Sequence, residues 1–271
     1  MRCKWCANPE NLTGKIQTGF IEHLCSRCGR CVGVCQSGAI VEDLNAYRVD
    51  RKKCSACGAC VAECLYGALV QYGEEMTSGE VFQKVRHDKM FYDSSGGGVT
   101  VSGGEPLLSS RFVSELFLQC KNEGIDTCVE TCGHVPWDAF ERVLPVTDHF
   151  YFDLKHMDSR SHRQHTAGEN TLILNNAERL VMSGANILFR QPLIPGVNDS
   201  MENIEATASF MRIINPKLKL ELMPYHRLGQ AKYAVLDMPN PMAEMSVMAS
   251  AEVEAVRAKY EAFGVRCTIS R

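Results

Sequence analysis

Cys25-Ser26-Arg27-Cys28-Gly29-Arg30-Cys31-Val32-Gly33-Val34-Cys35 and Cys54-Ser55-Ala56-Cys57-Gly58-Ala59-Cys60-Val61-Ala62-Glu63-Cys64 are two copies of one spacing, C-x2-C-x2-C-x3-C. With the pair Cys3 and Cys6 they place ten of the chain's 14 cysteines in its first 64 residues. In such a run three close thiolates bind three corners of one 4Fe-4S cluster, and the fourth ligates the neighbouring cluster. That rule assigns Cys25, Cys28, Cys31 and Cys64 to one cluster, and Cys54, Cys57, Cys60 and Cys35 to the other. Thiolates at C-x2-C spacing also suit tetrahedral zinc or disulfides, but two complete repeats are a far stricter match to clusters. The proline usual after the fourth cysteine is replaced by Gln36 and Leu65, which removes a backbone constraint but no ligand.

The remaining composition is that of an ordinary soluble core. The 271 residues are 45% hydrophobic with a net charge of -3, so no basic excess points to nucleic acid. No apolar run approaches the ~20 residues of a membrane span. Met1 to Cys6 has no signal-peptide apolar stretch. Free thiolates in this number need a reducing compartment, and low-potential clusters are commonly oxygen-sensitive, so the expectation is the cytoplasm of a cell living with little oxygen.

Beyond Gly67 the cysteine density collapses and strands alternate with helices, which puts a boundary near residue 72. After a flexible stretch from Ser94 to Gly98, Val99 to Ser102 reads as a strand, followed by a helix with Phe112, Val113, Leu116, Phe117 and Cys120 on one stripe. Ser109 or Ser110 can cap its start and Gly124 its end. Strands are expected again at 127–130, 150–155, 187–191, 218–222 and 265–269, with helices opening at Pro136, near Leu174, at Ser200 and near Ser250. Such alternation argues a parallel sheet with helices outside it, and a site at the C-terminal strand ends. There the polar residues gather: Gly103-Gly104-Glu105, Glu130-Thr131, Asp153 and Lys155, Arg190, and His226. Cys120, Cys128 and Cys267 read as buried small hydrophobes, and Cys132 not as a ligand.

A Gly-Gly turn after a strand is a weak signal alone, since it lets the backbone turn sharply and approach a ligand but lacks the Lys-Ser/Thr of a phosphate loop. Taken with Cys3-x2-Cys6, however, it resembles the radical S-adenosylmethionine superfamily, whose signature is C-x3-C-x2-C followed by a Gly-Gly-Glu strand end. Within it the chain is most similar to the glycyl-radical-enzyme activating enzymes, relatives of the pyruvate formate-lyase activator that carry a two-cluster ferredoxin insert. The residues that carry the resemblance are Cys3-Lys4-Trp5-Cys6-Ala7-Asn8-Pro9-Glu10, Ser94 to Thr100, Ser102-Gly103-Gly104-Glu105-Pro106, Glu130-Thr131-Cys132-Gly133, Asp153-Leu154-Lys155, Ile194 to Asp199, and Pro224-Tyr225-His226. The departure is at the front: the first cysteine of C-x3-C-x2-C would stand four residues before Cys3, ahead of Met1. The expectation is therefore a shortened N-terminus that lacks one ligand of the catalytic cluster and the first barrel strand.

The resemblance implies an α/β fold, a partial (β/α)6 TIM-like barrel over residues 73–271, with a bacterial-ferredoxin-like module carrying two 4Fe-4S clusters inserted at 16–72 and a remnant of the cluster loop at 1–15. It implies three 4Fe-4S clusters in the full-length protein, with Cys3 and Cys6 on the catalytic one and its open iron taking S-adenosylmethionine. Gly103, Gly104 and Glu105 would receive the methionine amino group. Asp153 and Lys155, two apart on one strand and so on one face, would contact ribose and carboxylate. His226 would meet the adenosyl group, Arg190 the carboxylate, and Trp5 the adenine, while Glu130 and Thr131 would sit at a monovalent-cation site. The function implied is reductive cleavage of S-adenosylmethionine to a 5'-deoxyadenosyl radical that takes hydrogen from a backbone glycine of a partner glycyl radical enzyme. Electrons would come from ferredoxin or flavodoxin, and the protein would be a monomer. The competing reading is a non-enzymatic electron carrier, a two-cluster ferredoxin fused to a barrel that has lost its catalytic cluster. The partner is open among decarboxylases, diol dehydratases, choline lyases and isethionate sulfite-lyases.

Overall fold

The structure is a computed structural model that describes residues 1–43 and 46–270. The chain divides into a cysteine-rich unit, residues 6–75 with 227–243, and a sheet unit, residues 1–5, 76–226 and 244–271.

In the cysteine-rich unit β1 (Gln17–Phe20) pairs antiparallel with β4 (Leu69–Tyr72), and β2 (Ile40–Asp43) with β3 (Ala46–Val49). Each cysteine run turns into one short helix, Arg30–Val34 and Ala59–Glu63. The turns are sharp because the residue ahead of each helix is left-handed, Gly29 at φ 73° and Gly58 at φ 79°, where a side chain would be strained. The core is small: Ile40, Val49, Cys60 and Leu69 form it, with further cysteines packed around them. The segment 227–243 is tied on by Lys232, whose ammonium meets Asn8 at 2.8 Å and Glu10 at 2.6 Å, and by the Tyr233 hydroxyl, which donates to the Cys6 carbonyl. That gives Asn8-Pro9-Glu10 a structural role.

The sheet unit holds six parallel strands in strictly sequential order: β5 (Gly98–Val101), β6 (Asp126–Thr131), β7 (His149–Asp153), β8 (Ile187–Leu193), β9 (Lys219–Pro224) and β10 (Arg266–Ile269). Sequential order without reversal means every right-handed crossover lays its helix on the same face, as in a (β/α) barrel and unlike a doubly wound sheet. That face is apolar. Val129, Phe150, Phe152, Phe189, Leu220 and Leu222 are buried against Leu116, Phe117, Phe140, Leu180, Ile204 and Val256 of the crossover helices. Alternate residues face the other way: Glu130 is in register with Tyr151, and Asp153 with Arg190, which in turn pairs with Glu221. One face therefore carries the core and the other the polar residues. Among the described residues no helix is long and apolar enough to cross a membrane.

Three local expectations are corrected. Ser94 and Ser95 are not in a flexible stretch but end a helix, Lys89–Ser95, where both hydroxyls donate to the Phe91 carbonyl and Gly96, at φ 67°, closes the turn. Gly98 already belongs to β5, where a Cβ would lie 2.1 Å from the Asp126 carbonyl oxygen, so close strand approach requires glycine there. Ser109 precedes the helix Ser110–Asn122 without a side-chain capping bond, while the Ser110 hydroxyl accepts from Arg142 at 2.6 Å. The helices Ser78–Arg86 and Ser159–Thr166 lie outside the sequence reading altogether. The first is set by a capping box of Thr77 and Glu80.

Candidate functional site

The eight cysteines of the two runs are free thiols that line two cavities. One is bordered by Cys25, Cys28, Cys31 and Cys64 with Phe20, Tyr47 and Tyr66. The other is bordered by Cys35, Cys54, Cys57 and Cys60 with Thr18 and Ser37. Among the described residues no three His, Cys, Asp or Glu side chains converge as ligands of a single ion. Sulfurs that ring a void suit a group several atoms across better than one tetrahedral metal. Backbone N–H groups already point at them: Arg27 to Cys25 at 3.4 Å, Ala56 to Cys54 at 3.4 Å and Ala39 to Cys35 at 3.2 Å. Hydrogen bonds from Arg30 and Ser26 lower the Cys28 thiol below its ordinary range, and one from Ser37 lowers Cys35; burial instead raises Cys31 and Cys60.

The second candidate site lies at the C-terminal ends of the parallel strands. After β5, Gly103 turns the chain at φ 124° and, with Gly104, is exposed. Glu105 then anchors the turn. One carboxylate oxygen accepts from the Leu107 N–H at 3.1 Å and the Thr131 hydroxyl at 2.8 Å; the other accepts from the Cys132 N–H at 2.9 Å and thiol at 2.8 Å. Glu105 is thus a brace between the ends of β5 and β6. Cys132 is buried beside it, and burial, then the carboxylate, push its thiol far above the ordinary range.

Glu130 and Thr131 do not act as a pair. As consecutive strand residues they face opposite sides of the sheet, Thr131 toward Glu105 and Glu130 toward Arg190. Arg190 in turn bridges two acids, donating from Nη1 to Glu130 at 3.0 Å and from Nε to Glu221 at 2.8 Å, with its guanidinium carbon 5.1 Å from the Tyr151 ring centroid.

At the end of β7 the Lys155 ammonium meets Asp153 Oδ2 at 2.6 Å, with side-chain exposures of only 7% and 15%. Burial opposes the lysine charge, but the carboxylate prevails and holds Lys155 above its ordinary range. The second oxygen, Oδ1, is buried and has no hydrogen-bond partner. Cys3 lies within electrostatic reach of both: desolvation raises its thiol, Lys155 works against this, and Asp153 adds to it. The chain carrying Cys3 is strapped to the helix Ser159–Thr166, through Arg2 N–H to the Thr166 carbonyl at 2.7 Å and Lys4 N–H to the His165 carbonyl at 2.9 Å. Trp5 tilts against His165 at 6.4 Å between centroids. His226, two residues past β9, is exposed.

The structure adds residues to which the sequence reading gave no role. Fully buried Asn198 donates to the carbonyls of Lys155 at 2.9 Å and Pro192 at 2.7 Å and accepts from the Ile194 N–H, so it fixes the end of β7 to that of β8. Its signal was the quoted segment Ile194 to Asp199. Glu221 lay unremarked between the apolar Leu220 and Leu222, and Tyr151 between Phe150 and Phe152. Period-two parity with Arg190 across the register is the signal that finds both.

Residues 1–211 match the radical SAM superfamily. The chain is 38% identical to the (2S)-3-sulfopropanediol dehydratase activating enzyme of Klebsiella oxytoca, an alignment that covers 99% of this chain and 88% of that protein. It is 35% identical to the choline trimethylamine-lyase activating enzyme of Oleidesulfovibrio alaskensis, over 95% of this chain and 85% of that one. A crystal structure of a domain of pyruvate-formate lyase-activating enzyme from Bacteroides vulgatus superimposes with a TM-score of 0.53 at 28% identity, over 65% of this chain and 99% of that domain.

Proposed function

The chain belongs to the radical SAM superfamily, among the activating enzymes of glycyl radical enzymes, and from that premise we propose how its own residues serve the activation of such a partner. Family membership implies S-adenosylmethionine and a 4Fe-4S cluster, which when bound supply the 5'-deoxyadenosyl radical that removes hydrogen from a backbone glycine. Cys3 and Cys6 contribute thiolates to that cluster.

The observation that carries the reading is Asp153 Oδ1, a buried carboxylate oxygen with no partner, beside Cys3 and the Lys155 ammonium. An unmatched buried acceptor is costly, about 1–3 kcal/mol, unless a ligand donor meets it. A ribose hydroxyl is such a donor, and Lys155 is placed to receive a carboxylate. Glu105 contributes by holding Gly103 and Gly104 in their turn, whose exposed backbone is free to accept from the ligand's amino group. His226 and Trp5 complete the ligand contacts, while Arg190, expected at the ligand carboxylate, is held between Glu130 and Glu221. A monovalent cation at Glu130 and Thr131 is not carried over, because their side chains are turned to Arg190 and Glu105.

The eight cysteines of the two runs hold two further 4Fe-4S clusters, Cys25, Cys28, Cys31 and Cys64 around one and Cys35, Cys54, Cys57 and Cys60 around the other. The two four-cysteine cavities support this, as does the meagre core of that unit, since small folds commonly need such a staple. The module relays electrons from ferredoxin or flavodoxin, and the protein acts as a monomer. The test is anaerobic incubation of the protein with S-adenosylmethionine, a low-potential reductant and a glycyl radical enzyme. The expected products are methionine, 5'-deoxyadenosine and the doublet of a glycyl radical in the partner's spectrum. No cleavage and no radical with any glycyl radical enzyme, in a protein that still transfers electrons, would turn the reading to that of an electron carrier.

A further inference from the structure

We propose that the two clusters of the cysteine-rich unit are unequal by construction, Arg51 and Thr18 holding the cluster of Cys35, Cys54, Cys57 and Cys60 at the higher potential, so that an electron entering the module settles there. This rests on the reading that the eight cysteines hold two clusters.

The two runs are copies, so each residue of one has a counterpart in the other. Arg51 stands three residues before Cys54, and its counterpart three before Cys25 is Glu22, an acid in the place of a base. Glu22 is exposed. Arg51 is held inward: Nη1 donates to the Thr18 carbonyl at 2.5 Å and Nη2 to the Val235 carbonyl at 3.5 Å, while Nε is buried without a hydrogen-bond partner. The opposite charges that act on it are the Cys54 sulfur and, after it, Asp237. Thr18 itself is buried, and its hydroxyl lies 3.7 Å from Cys54 Sγ.

The neighbours differ too, although Ser26 also hydrogen-bonds Cys28 in the first set. Ser37 places its hydroxyl 3.5 Å from Cys35 Sγ. The counterparts of Thr18 and Ser37 are Tyr47 and Tyr66, which with Phe20 wall the first cavity with aromatic rings. Arg30 and Glu63, paired at 3.1 Å beside that cavity, are half-exposed and offset each other. Cluster potential is set by net charge, hydrogen bonds to sulfur and solvent exposure. Reduction adds an electron, so the fixed inward cation of Arg51 and the buried Thr18 hydroxyl favour the reduced state of the second cluster. Exposure differs little between the sets, each with one exposed cysteine, Cys28 and Cys57, and with Cys60 of the second set buried, so the inward charge decides.

The experiment is an anaerobic dithionite titration of the holoenzyme followed by electron paramagnetic resonance, with the module clusters recognised by their indifference to S-adenosylmethionine. The wild type is expected to show two separate module waves. Arg51→Gln should lower the upper wave about tenfold in its reduction equilibrium, which is about 59 mV for one electron, and leave the lower wave in place. Arg51→Lys should restore most of the shift. Thr18→Val, equal in shape, should move the same wave the same way by a smaller factor, which keeps the test alive if Arg51→Gln does not fold. Two waves that do not move in these variants, a shift of the lower wave, or two clusters titrating as one would overturn the inference alone. Iron and sulfide analysis showing fewer than two module clusters would instead remove its premise, the reading of the cysteines.

Discussion

Removing either member of the Asp153 and Lys155 pair should cost more than removing both. The pair is 2.6 Å apart with side chains 15% and 7% exposed, so water does little to screen it. Asp153→Asn leaves a buried ammonium without its counter-ion, and Lys155→Met leaves a buried carboxylate one of whose oxygens already lacks a partner. Loss of one member of such a pair costs about 3–5 kcal/mol, whereas replacing both with groups of similar volume is often neutral. The double variant Asp153→Asn/Lys155→Met should therefore recover most of the stability lost by either single one, while binding S-adenosylmethionine no better than they do. The assay is a urea midpoint for the four proteins, converted to free energy at constant slope, with ligand binding by calorimetry. Lys155 is held above its ordinary range, so its contribution is complete below the unfolded-state value of about 10.4 and is lost only as pH rises through the folded-state value. The cycle should consequently give the same result at pH 7 and pH 8.5. Single variants within 1 kcal/mol of wild type, or a double variant as damaged as the sum, would refute the buried-pair reasoning.

Three further outcomes follow from the geometry. Cys25→Ala and Cys54→Ala should each disturb a different module cluster, seen as loss of one of two spectroscopic signals; a common loss of the same signal in both would show the sulfurs to be grouped otherwise. Cys132→Ala should leave iron content unchanged and cost about 1–2 kcal/mol, because its thiol donates to the Glu105 carboxylate; lost iron would make it a ligand. Asn198→Ala strands the Lys155 and Pro192 carbonyls and the Ile194 N–H, so about 2–4 kcal/mol of stability should go and ligand affinity with it; unchanged affinity would deny Asn198 a part in placing Lys155.

The strands were legible because their buried face is written in alternation: Val129, Phe150, Phe152, Phe189, Leu220 and Leu222 form one row after folding, as period two requires. Helices with a wide apolar stripe, such as Ser110–Asn122, were equally plain. The helix Ser159–Thr166 was not, since its sequence is polar throughout and only His162 and Thr166 are buried. Ser94 to Gly98 read as flexible from composition, yet the serine hydroxyls closed a helix end locally, a choice that depends on hydrogen bonds and not on hydropathy. At the strand ends the positions of Glu105, Asp153 and Arg190 were readable, but their partners were not. Which acid an arginine meets is fixed by register between strands distant in sequence, so the Glu130, Arg190 and Glu221 bridge appears only when β6, β8 and β9 are laid side by side.

The bridge also bears on what the sheet's second face is for. A complete (β/α) barrel fills its centre with layers of branched apolar side chains. Here the corresponding face offers Glu130, Tyr151, Asp153, Arg190 and Glu221, in register and partly solvated, with one arginine held between two carboxylates. Such a surface cannot serve as a packed core, because burying Glu130 and Glu221 against hydrocarbon would require more counter-charge than Arg190 supplies. It suits an interior that stays open to polar ligands and receives a chain segment from outside. The apolar face holds the sheet together, and the charged face is left open to polar ligands. On this account Arg190→Met would do its damage chiefly by leaving two carboxylates on one face without their shared cation, and Glu221→Gln in the same chain should relieve part of that damage. Independent, additive losses in the two variants would show that the arginine serves the ligand directly and the acids only stand beside it.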